Sequence, residues 1–99
     1  MVGAKQILYY LSSNKDRFEK EYHLIKIGIF GSIARGDQNE KSDIDIIVEF
    51  EENTPDLYGI KLKLKDELQS IFNHSVDICR EKYINPIFKT QILAEAKYA

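Results

Sequence analysis

The N-terminal quarter of the chain repeats its hydrophobic residues at intervals of three and four, the period of an amphipathic helix. A first helix is marked by three apolar residues: Ile7, Leu8 and Leu11. A polar Ser-Ser-Asn sequence interrupts this pattern, and its last residue, Asn14, is of a type that favours the start of a helix. Phe18 and Tyr22 then continue the apolar spacing. The pattern therefore predicts two short helices before residue 25.

Three later segments alternate apolar and polar residues with a period of two, which is typical of β-strands. Residues 25–30 place three isoleucines on one face and end at Gly31. The second segment starts at Ser42 and places four apolar residues on one face: Ile44, Ile46, Val48 and Phe50. Its opposite face carries Asp43, Asp45, Ile47 and Glu49. Residues 75–79 form the third strand, with Val76 and Ile78 facing inward.

Two longer helices follow the second and third strands, and each begins with a cap residue before proline. Thr54 and Pro55 predict the start of one helix, which we expect to end near Phe72. Its apolar residues recur at three and four: Leu57, Ile60, Leu64, Leu68 and Ile71. Its lysines, Lys61, Lys63 and Lys65, are expected to form a solvated face. Asn85 and Pro86 predict the start of the last helix, whose apolar residues are Phe88, Ile92 and Ala96.

This order of elements predicts an α/β (α+β) fold with a small mixed three-stranded sheet and helices on one face. The other face of the sheet is expected to stay partly open and to carry the carboxylates. At 99 residues and 11.5 kDa, with 43% hydrophobic and 30% charged residues, the chain is predicted to form a single domain over 1–99.

The net charge limits the possible binding partners, and the cysteine content indicates the cellular compartment. Fourteen basic against sixteen acidic residues give a net charge of −2, so strong nucleic-acid binding is not expected. The single cysteine, Cys79, cannot form an internal disulfide, and no apolar run is long enough to cross a membrane. The N-terminus also lacks the pattern of a secretory signal. These features predict a cytoplasmic protein.

The residues that can carry chemistry lie at the carboxylate face. Asp43 and Asp45 are two apart on one strand, so their backbones are about 7 Å apart and their side chains point the same way. Such a pair suits two Mg²⁺ ions that assist phosphoryl transfer. Asp77 can supply a third carboxylate if its strand lies beside the second one. Glu49 lies about 13 Å further along the strand than Asp45, too far to share these ions.

The turn before the second strand is suited to phosphate. Gly31 permits a tight approach of the backbone, and Ser32 offers both an N–H and a hydroxyl to the terminal phosphates of a nucleotide. Arg35 is the one cation of the turn and can neutralise triphosphate charge or hold a partner. Each feature also has a plain structural interpretation. Paired aspartates alone are more often a solvated strand face, Ser32 can simply cap a short helix, and Asp77 can be an ordinary exposed residue.

The segments Gly31-Ser32-Ile33-Ala34-Arg35-Gly36 and Ser42-Asp43-Ile44-Asp45-Ile46 together resemble the signature of the DNA polymerase beta nucleotidyltransferase superfamily. The resemblance is closest to its small branch, MNT, for minimal nucleotidyltransferase, and spans nearly the whole chain. It implies a palm-like fold and a Mg²⁺-dependent transfer of AMP from ATP to a hydroxyl. It also implies that the chain is the antitoxin of a HEPN-type toxin, which would be the protein that receives AMP.

The resemblance assigns roles to the same residues. Asp43, Asp45 and Asp77 would be the catalytic, metal-binding residues, and Gly31, Ser32 and Arg35 would bind the nucleotide. Two alternatives remain open at this point. The first is an antitoxin that inhibits its toxin by binding alone, with idle carboxylates. The second is a transferase that modifies a small hydroxylated antibiotic.

Overall fold

A computed structural model describes residues 2–99, which form five α-helices, one 3-10 turn and four strands. The helices are α1 (Ala4–Ser13), α2 (Lys15–Tyr22), α3 (Gly31–Arg35), α4 (Leu57–Phe72) and α5 (Pro86–Glu95). The strands are β1 (Leu24–Phe30), β2 (Ile44–Phe50), β3 (Val76–Arg80) and β4 (Lys97–Tyr98), and the 3-10 turn is Glu81–Tyr83. The two N-terminal helices, the long helix ending at Phe72 and the mixed α/β class are thus confirmed.

The sheet has the strand order β3-β2-β1-β4, with β1 antiparallel to both neighbours and β2 parallel to β3. It has four strands, not the three predicted. The fourth is only two residues long, so no alternating pattern marks it. It lies against β1 at Gly28, where a Cβ would be 2.5 Å from the Lys97 carbonyl oxygen. Glycine is therefore required for this close approach of the two backbones.

The main core lies between the sheet and helices α1, α2 and α4. Fully buried side chains from these helices meet the inward residues of β1 and β2: Ile7, Leu11, Phe18, Leu64, Leu68, Ile29, Ile46 and Val48. Helix α5 does not join this layer. Its Phe88 and Ile92 line a groove with Phe30 and Cys79, on the carboxylate face. The prediction that the helices occupy one face is therefore wrong for α5, because no residue of this helix is buried and its pattern does not specify a face.

Two local predictions differ in detail from the structure, and a third is confirmed. The N-cap of α4 is Asp56, whose Oδ1 accepts a hydrogen bond from the Gly59 N–H at 3.2 Å, and not Thr54. Ile25 was expected to face inward but is 56% exposed, because the register of β1 shifts between Leu24 and Lys26. Asn85 caps α5 as predicted, accepting from the Ile87 N–H at 2.9 Å.

A polar cluster around Glu67 joins helices α1, α2 and α4. The carboxylate accepts hydrogen bonds from Tyr10 at 2.7 Å, from Tyr22 at 2.8 Å and from both terminal nitrogens of Arg17 at 3.0 and 2.6 Å. Burial alone would raise the pKa of Glu67, but these hydrogen bonds hold it below its usual value. Burial and the adjacent Glu67 also raise the pKa of Tyr22 to about 12. The three helices are therefore fixed by charge-assisted contacts as well as by the core.

None of the helices in residues 2–99 combines the length and the apolar character that a membrane span requires.

Candidate active site

Strand pairing brings two of the predicted carboxylates into one row. Asp45 on β2 is in register with Asp77 on the parallel strand β3, and on its other side with Phe30 at the end of β1. Neighbouring strands are about 4.8 Å apart, so the Asp45 and Asp77 backbones are adjacent. Asp43 lies just before β2 and, like Asp77, is exposed, whereas Asp45 is half-buried. The three aspartates form one acidic end of the sheet.

Burial and the neighbouring carboxylates both affect the pKa of the central aspartate, Asp45. Burial raises the pKa of Asp45, and the negative charges of Asp77 and Asp43 raise it further, while Arg35 partly opposes them. Ionisation of Asp45 therefore costs more free energy in the folded protein than in a free aspartate. A cation at this end of the sheet would relieve the repulsion between the aspartates.

Gly31 follows β1 directly and turns the chain towards Asp45. Its φ of +70° lies in the left-handed region, and a Cβ built on it would be 2.3 Å from Asp45 Oδ2. A side chain at this position would therefore be strained and would also displace the carboxylate. The glycine of the motif is required both by the turn and by the position of Asp45.

We expect Gly31→Ala to reduce at least tenfold the nucleotidyl transfer that the sequence motif implies, because the new methyl group displaces Asp45. The backbone strain should also cost about 1–2 kcal/mol. Gly36→Ala is the matched control: Gly36 has a similar φ of +82°, but nothing lies within 4 Å of a Cβ there. It should lose similar thermal stability and keep its transfer rate. Equal transfer rates for the two variants would show that a side chain at position 31 does not disturb Asp45.

Ser32 and Arg35 both lie on the one-turn helix α3, next to Gly31. The N-cap of α3 is Phe30, and no side chain caps the helix, so the capping interpretation of Ser32 does not fit. Arg35 forms ion pairs with Asp37 at 3.1 Å and with Glu95 of α5 at 3.0 Å. The guanidinium is therefore held between α3 and α5, and its charge acts on Asp45 without a direct hydrogen bond.

The other polar residues of this face have structural partners. Glu49 binds Arg80 at 2.6 Å and accepts from the Lys82 N–H at 3.0 Å. Burial alone would raise the pKa of Glu49, yet these contacts keep it low. The ring of His74 contacts the Ser42 carbonyl oxygen, next to Asp43. Cys79 lies 3.9 Å from Asp77 Oδ2, and burial with the nearby carboxylates raises the pKa of its thiol.

The sequence pattern did not indicate that Lys61 and Lys65 lie near Asp77. The sequence predicted them, with Lys63, to form a solvated face of α4. In the structure Lys61 and Lys65 are half-buried and line a pocket of about 240 Å³ with Asp77, whereas Lys63 is exposed. Their spacing of four along the helix was the available signal, because residues four apart share one side of a helix.

The donor set fits Mg²⁺ bound together with a nucleotide. Within residues 2–99, no three acidic, cysteine or histidine side chains converge closely enough to hold a metal by themselves. Mg²⁺ usually takes one or two carboxylates and completes its octahedron with water and substrate phosphates. Asp43 and Asp45 provide these two carboxylates. A bound cation would also oppose the effects that raise the pKa of Asp45.

The mixed sheet, the glycine-serine turn and the carboxylate row have the arrangement that the sequence motif predicts for a nucleotidyltransferase. Comparison with known proteins agrees: residues 11–99 match the nucleotidyltransferase domain family, and the chain belongs to that family. It is 30% identical over 98 residues to the protein adenylyltransferase MntA of Thermococcus cleftensis, covering 99% of this chain and 97% of the relative. It is 38% identical over 99 residues to a candidate protein adenylyltransferase of Methanocaldococcus jannaschii, covering 99% of each.

Solved structures share the fold. A candidate minimal nucleotidyltransferase superposes with a TM-score of 0.78 at 27% identity, covering 97% of this chain and 95% of the other. A toxin-antitoxin structure with AMP-PNP superposes with a TM-score of 0.65 at 23% identity, covering 87% and 69%. The resemblance to the minimal nucleotidyltransferases and the enzyme class, nucleotidyltransferase, are thereby confirmed.

Proposed function

We propose that this single-domain chain transfers AMP from ATP to a hydroxyl group of a partner protein. The observation that carries the proposal is the row formed by Asp45 and Asp77 on adjacent parallel strands, with Asp43 beside it and Gly31 packed against Asp45. The row provides metal ligands on one strand and a separate carboxylate on the next. Protein adenylyltransferase MntA, which matches along nearly its whole length, supports the reaction class.

Each residue of the site has a role in that reaction. Asp43 and Asp45 would hold two Mg²⁺ ions, which when bound stabilise the charge on the attacking and leaving oxygens. The N–H and hydroxyl groups of the Gly31-Ser32 turn would bind the distal phosphates. Asp77 would complete one metal site and orient the acceptor hydroxyl, accepting its proton. The acceptor oxygen forms a bond to the α-phosphorus, the bond from that phosphorus to the bridging oxygen breaks, and pyrophosphate leaves.

The proposed acceptor is a HEPN-type toxin in the cytoplasm, with this chain as its antitoxin. Asp43 and Asp77 are exposed at the end of the sheet, so the acceptor side of the carboxylate row is open to a partner protein. The solved MntA-HpeT toxin-antitoxin complexes share this fold.

The test is to mix the purified chain with MgATP and a candidate HEPN-type toxin from the same organism, and to measure the intact mass of the toxin. A gain equal to one or more AMP groups is expected, with release of pyrophosphate. Inhibition of the toxin without any mass change would instead support an antitoxin that acts by binding alone. Nucleotide transfer to a hydroxylated antibiotic, and none to the toxin, would support the small-molecule transferase.

Ser32→Ala should weaken nucleotide binding and leave the fold intact. A charge-assisted hydrogen bond from a hydroxyl to phosphate contributes about 1.5–3 kcal/mol, so MgATP affinity should fall about 10- to 100-fold. The melting temperature should not change, because Ser32 caps no helix. Calorimetric titration with MgATP checks the affinity, and Ser12→Ala on the exposed side of α1 is the control. A loss of stability with unchanged affinity would show that Ser32 is structural.

A further inference from the structure

A groove of about 410 Å³ lies on the carboxylate face between β3, the 3-10 turn and α5. Its lining is mainly apolar and aromatic: Phe30, Ile78, Cys79, Tyr83, Ile84, Phe88 and Ile92. Cys79 follows Asp77 by two residues on the same strand, so both side chains point to the same face and lie about 7 Å apart at their backbones. The groove is therefore continuous with the acceptor side of the carboxylate row.

The walls of this groove expose more apolar surface than one small ligand would cover. Tyr83 is 70% exposed, Phe88 is 55% exposed, and Ile87, beside it on α5, is 81% exposed. Clustered apolar side chains of this kind mark sites where proteins bind other proteins. Tyr83 and Phe88 lie on opposite walls of the groove, and a segment of a protein that extends along it would cover both side chains.

The rim of the groove nearest Asp77 is positively charged. Lys61 lines both the groove and the pocket that contains Asp77, and Lys65 lines that pocket one helical turn away. Across residues 2–99 neither ammonium group forms a salt bridge, whereas Arg80, which also lines the groove, is paired with Glu49. A carboxylate on a bound segment would pair with these lysines. It would also be kept away from the three aspartates, which repel it.

We propose that this groove binds the segment of the partner protein that carries the acceptor hydroxyl. The segment would place apolar side chains against Tyr83 and Phe88 and an acidic side chain beside the hydroxyl, where Lys61 and Lys65 receive it. The inference rests on the proposed function and adds to it the chemistry of the acceptor segment. It also assigns Lys61 and Phe88 to acceptor recognition and not to nucleotide binding.

The test compares Phe88→Ala and Lys61→Glu with two matched controls. Tyr9→Ala removes an aromatic ring that is 76% exposed on α1, and Lys63→Glu reverses a charge on the exposed side of α4. For each variant we would measure the affinity for the HEPN-type toxin by calorimetry, the KM for that toxin in AMP transfer, and the affinity for MgATP. Phe88→Ala and Lys61→Glu should each raise the Kd and KM for the toxin at least tenfold and change MgATP affinity less than twofold. The controls should match the wild-type protein.

Other outcomes separate this inference from the proposed function. A Phe88→Ala variant that loses MgATP affinity and keeps its toxin affinity would make the groove a nucleobase site and overturn the inference. Toxin affinities equal to those of the controls would also overturn it. If the wild-type protein binds the toxin without transferring AMP, the proposed function fails. The toxin affinities of the four variants would still decide where the segment binds.

Discussion

Asp77→Asn is expected to lower AMP transfer by about 10²-fold or more while leaving MgATP binding largely intact. The substitution keeps the shape of the side chain and removes the charge that would accept the proton of the acceptor hydroxyl. Asp45→Asn should lower both transfer and MgATP affinity, because Asp45 lies against the Gly31 turn and would hold metal ions that bind the triphosphate. Intact mass of the toxin and calorimetric MgATP titration measure the two properties separately.

Glu40→Gln, an exposed change in the loop before β2, is the control for both variants. Stability provides a second check. Because burial and like charges raise the pKa of Asp45, its ionised form opposes folding, so Asp45→Asn should melt at a higher temperature than the wild type at neutral pH. That difference should shrink as the pH falls through the raised pKa, where wild-type Asp45 is also neutral. An Asp77→Asn protein with wild-type transfer would remove Asp77 from the mechanism.

Glu67→Ala is expected to cause the largest loss of stability, about 2–3 kcal/mol, because it leaves Arg17 and two partly buried tyrosine hydroxyls without their acceptor. At about 4–8 °C per kcal/mol for a domain of this size, the melting temperature should fall by roughly 10–20 °C. Thermal unfolding followed by circular dichroism measures the change.

Glu21→Ala is the matched control for that variant. Glu21 also pairs with Arg17, at 2.8 Å, but both side chains are partly exposed and the pair is one helical turn apart, so its loss should cost no more than about 0.5 kcal/mol.

The pH dependence of stability gives a further test of the role of Glu67. The pKa of Glu67 is lowered, so its contribution is complete above its usual pKa and is lost as the pH falls through the folded value. The wild type and Glu67→Ala should therefore converge in acid. A constant difference would contradict the role of the charge.

The parts of the fold that follow from local periodicity were predictable. Strands β2 and β3 and helix α4 each bury a regular set of apolar side chains, so their positions are encoded within each segment. The strand β4 was not predictable, because its two residues have no period and its position depends on Gly28, some seventy residues earlier. The same limit applies to Arg35. Its pairing with Asp37 is local, whereas its pairing with Glu95 depends on the placement of α5.

The candidate site shows the same division between local and distant information. The motif itself placed Gly31, Asp43 and Asp45, because a strand fixes which side chains share a face. Asp77 lies beside Asp45 because β3 pairs in parallel with β2. The sequence pattern does not show which strands are neighbours, so the role of Asp77 could be predicted only if β3 was assumed to lie beside β2. Lys61 was interpreted as part of a solvated helix face. Its spacing of four from Lys65 places both on one side of α4, but only the tertiary structure shows that this side lies near Asp77.

Helix α5 has no buried residue, and its contacts with the rest of the domain are an ion pair at its end, a few half-buried side chains and the short strand that follows it. An element held this weakly opens ahead of the sheet in local unfolding, so its amide hydrogens should exchange with solvent long before those of β1 and β2. One wall of the groove therefore has a folding equilibrium of its own. Binding in the groove and folding of α5 are therefore thermodynamically linked. Any molecule that binds there also stabilises the C-terminal end of the chain.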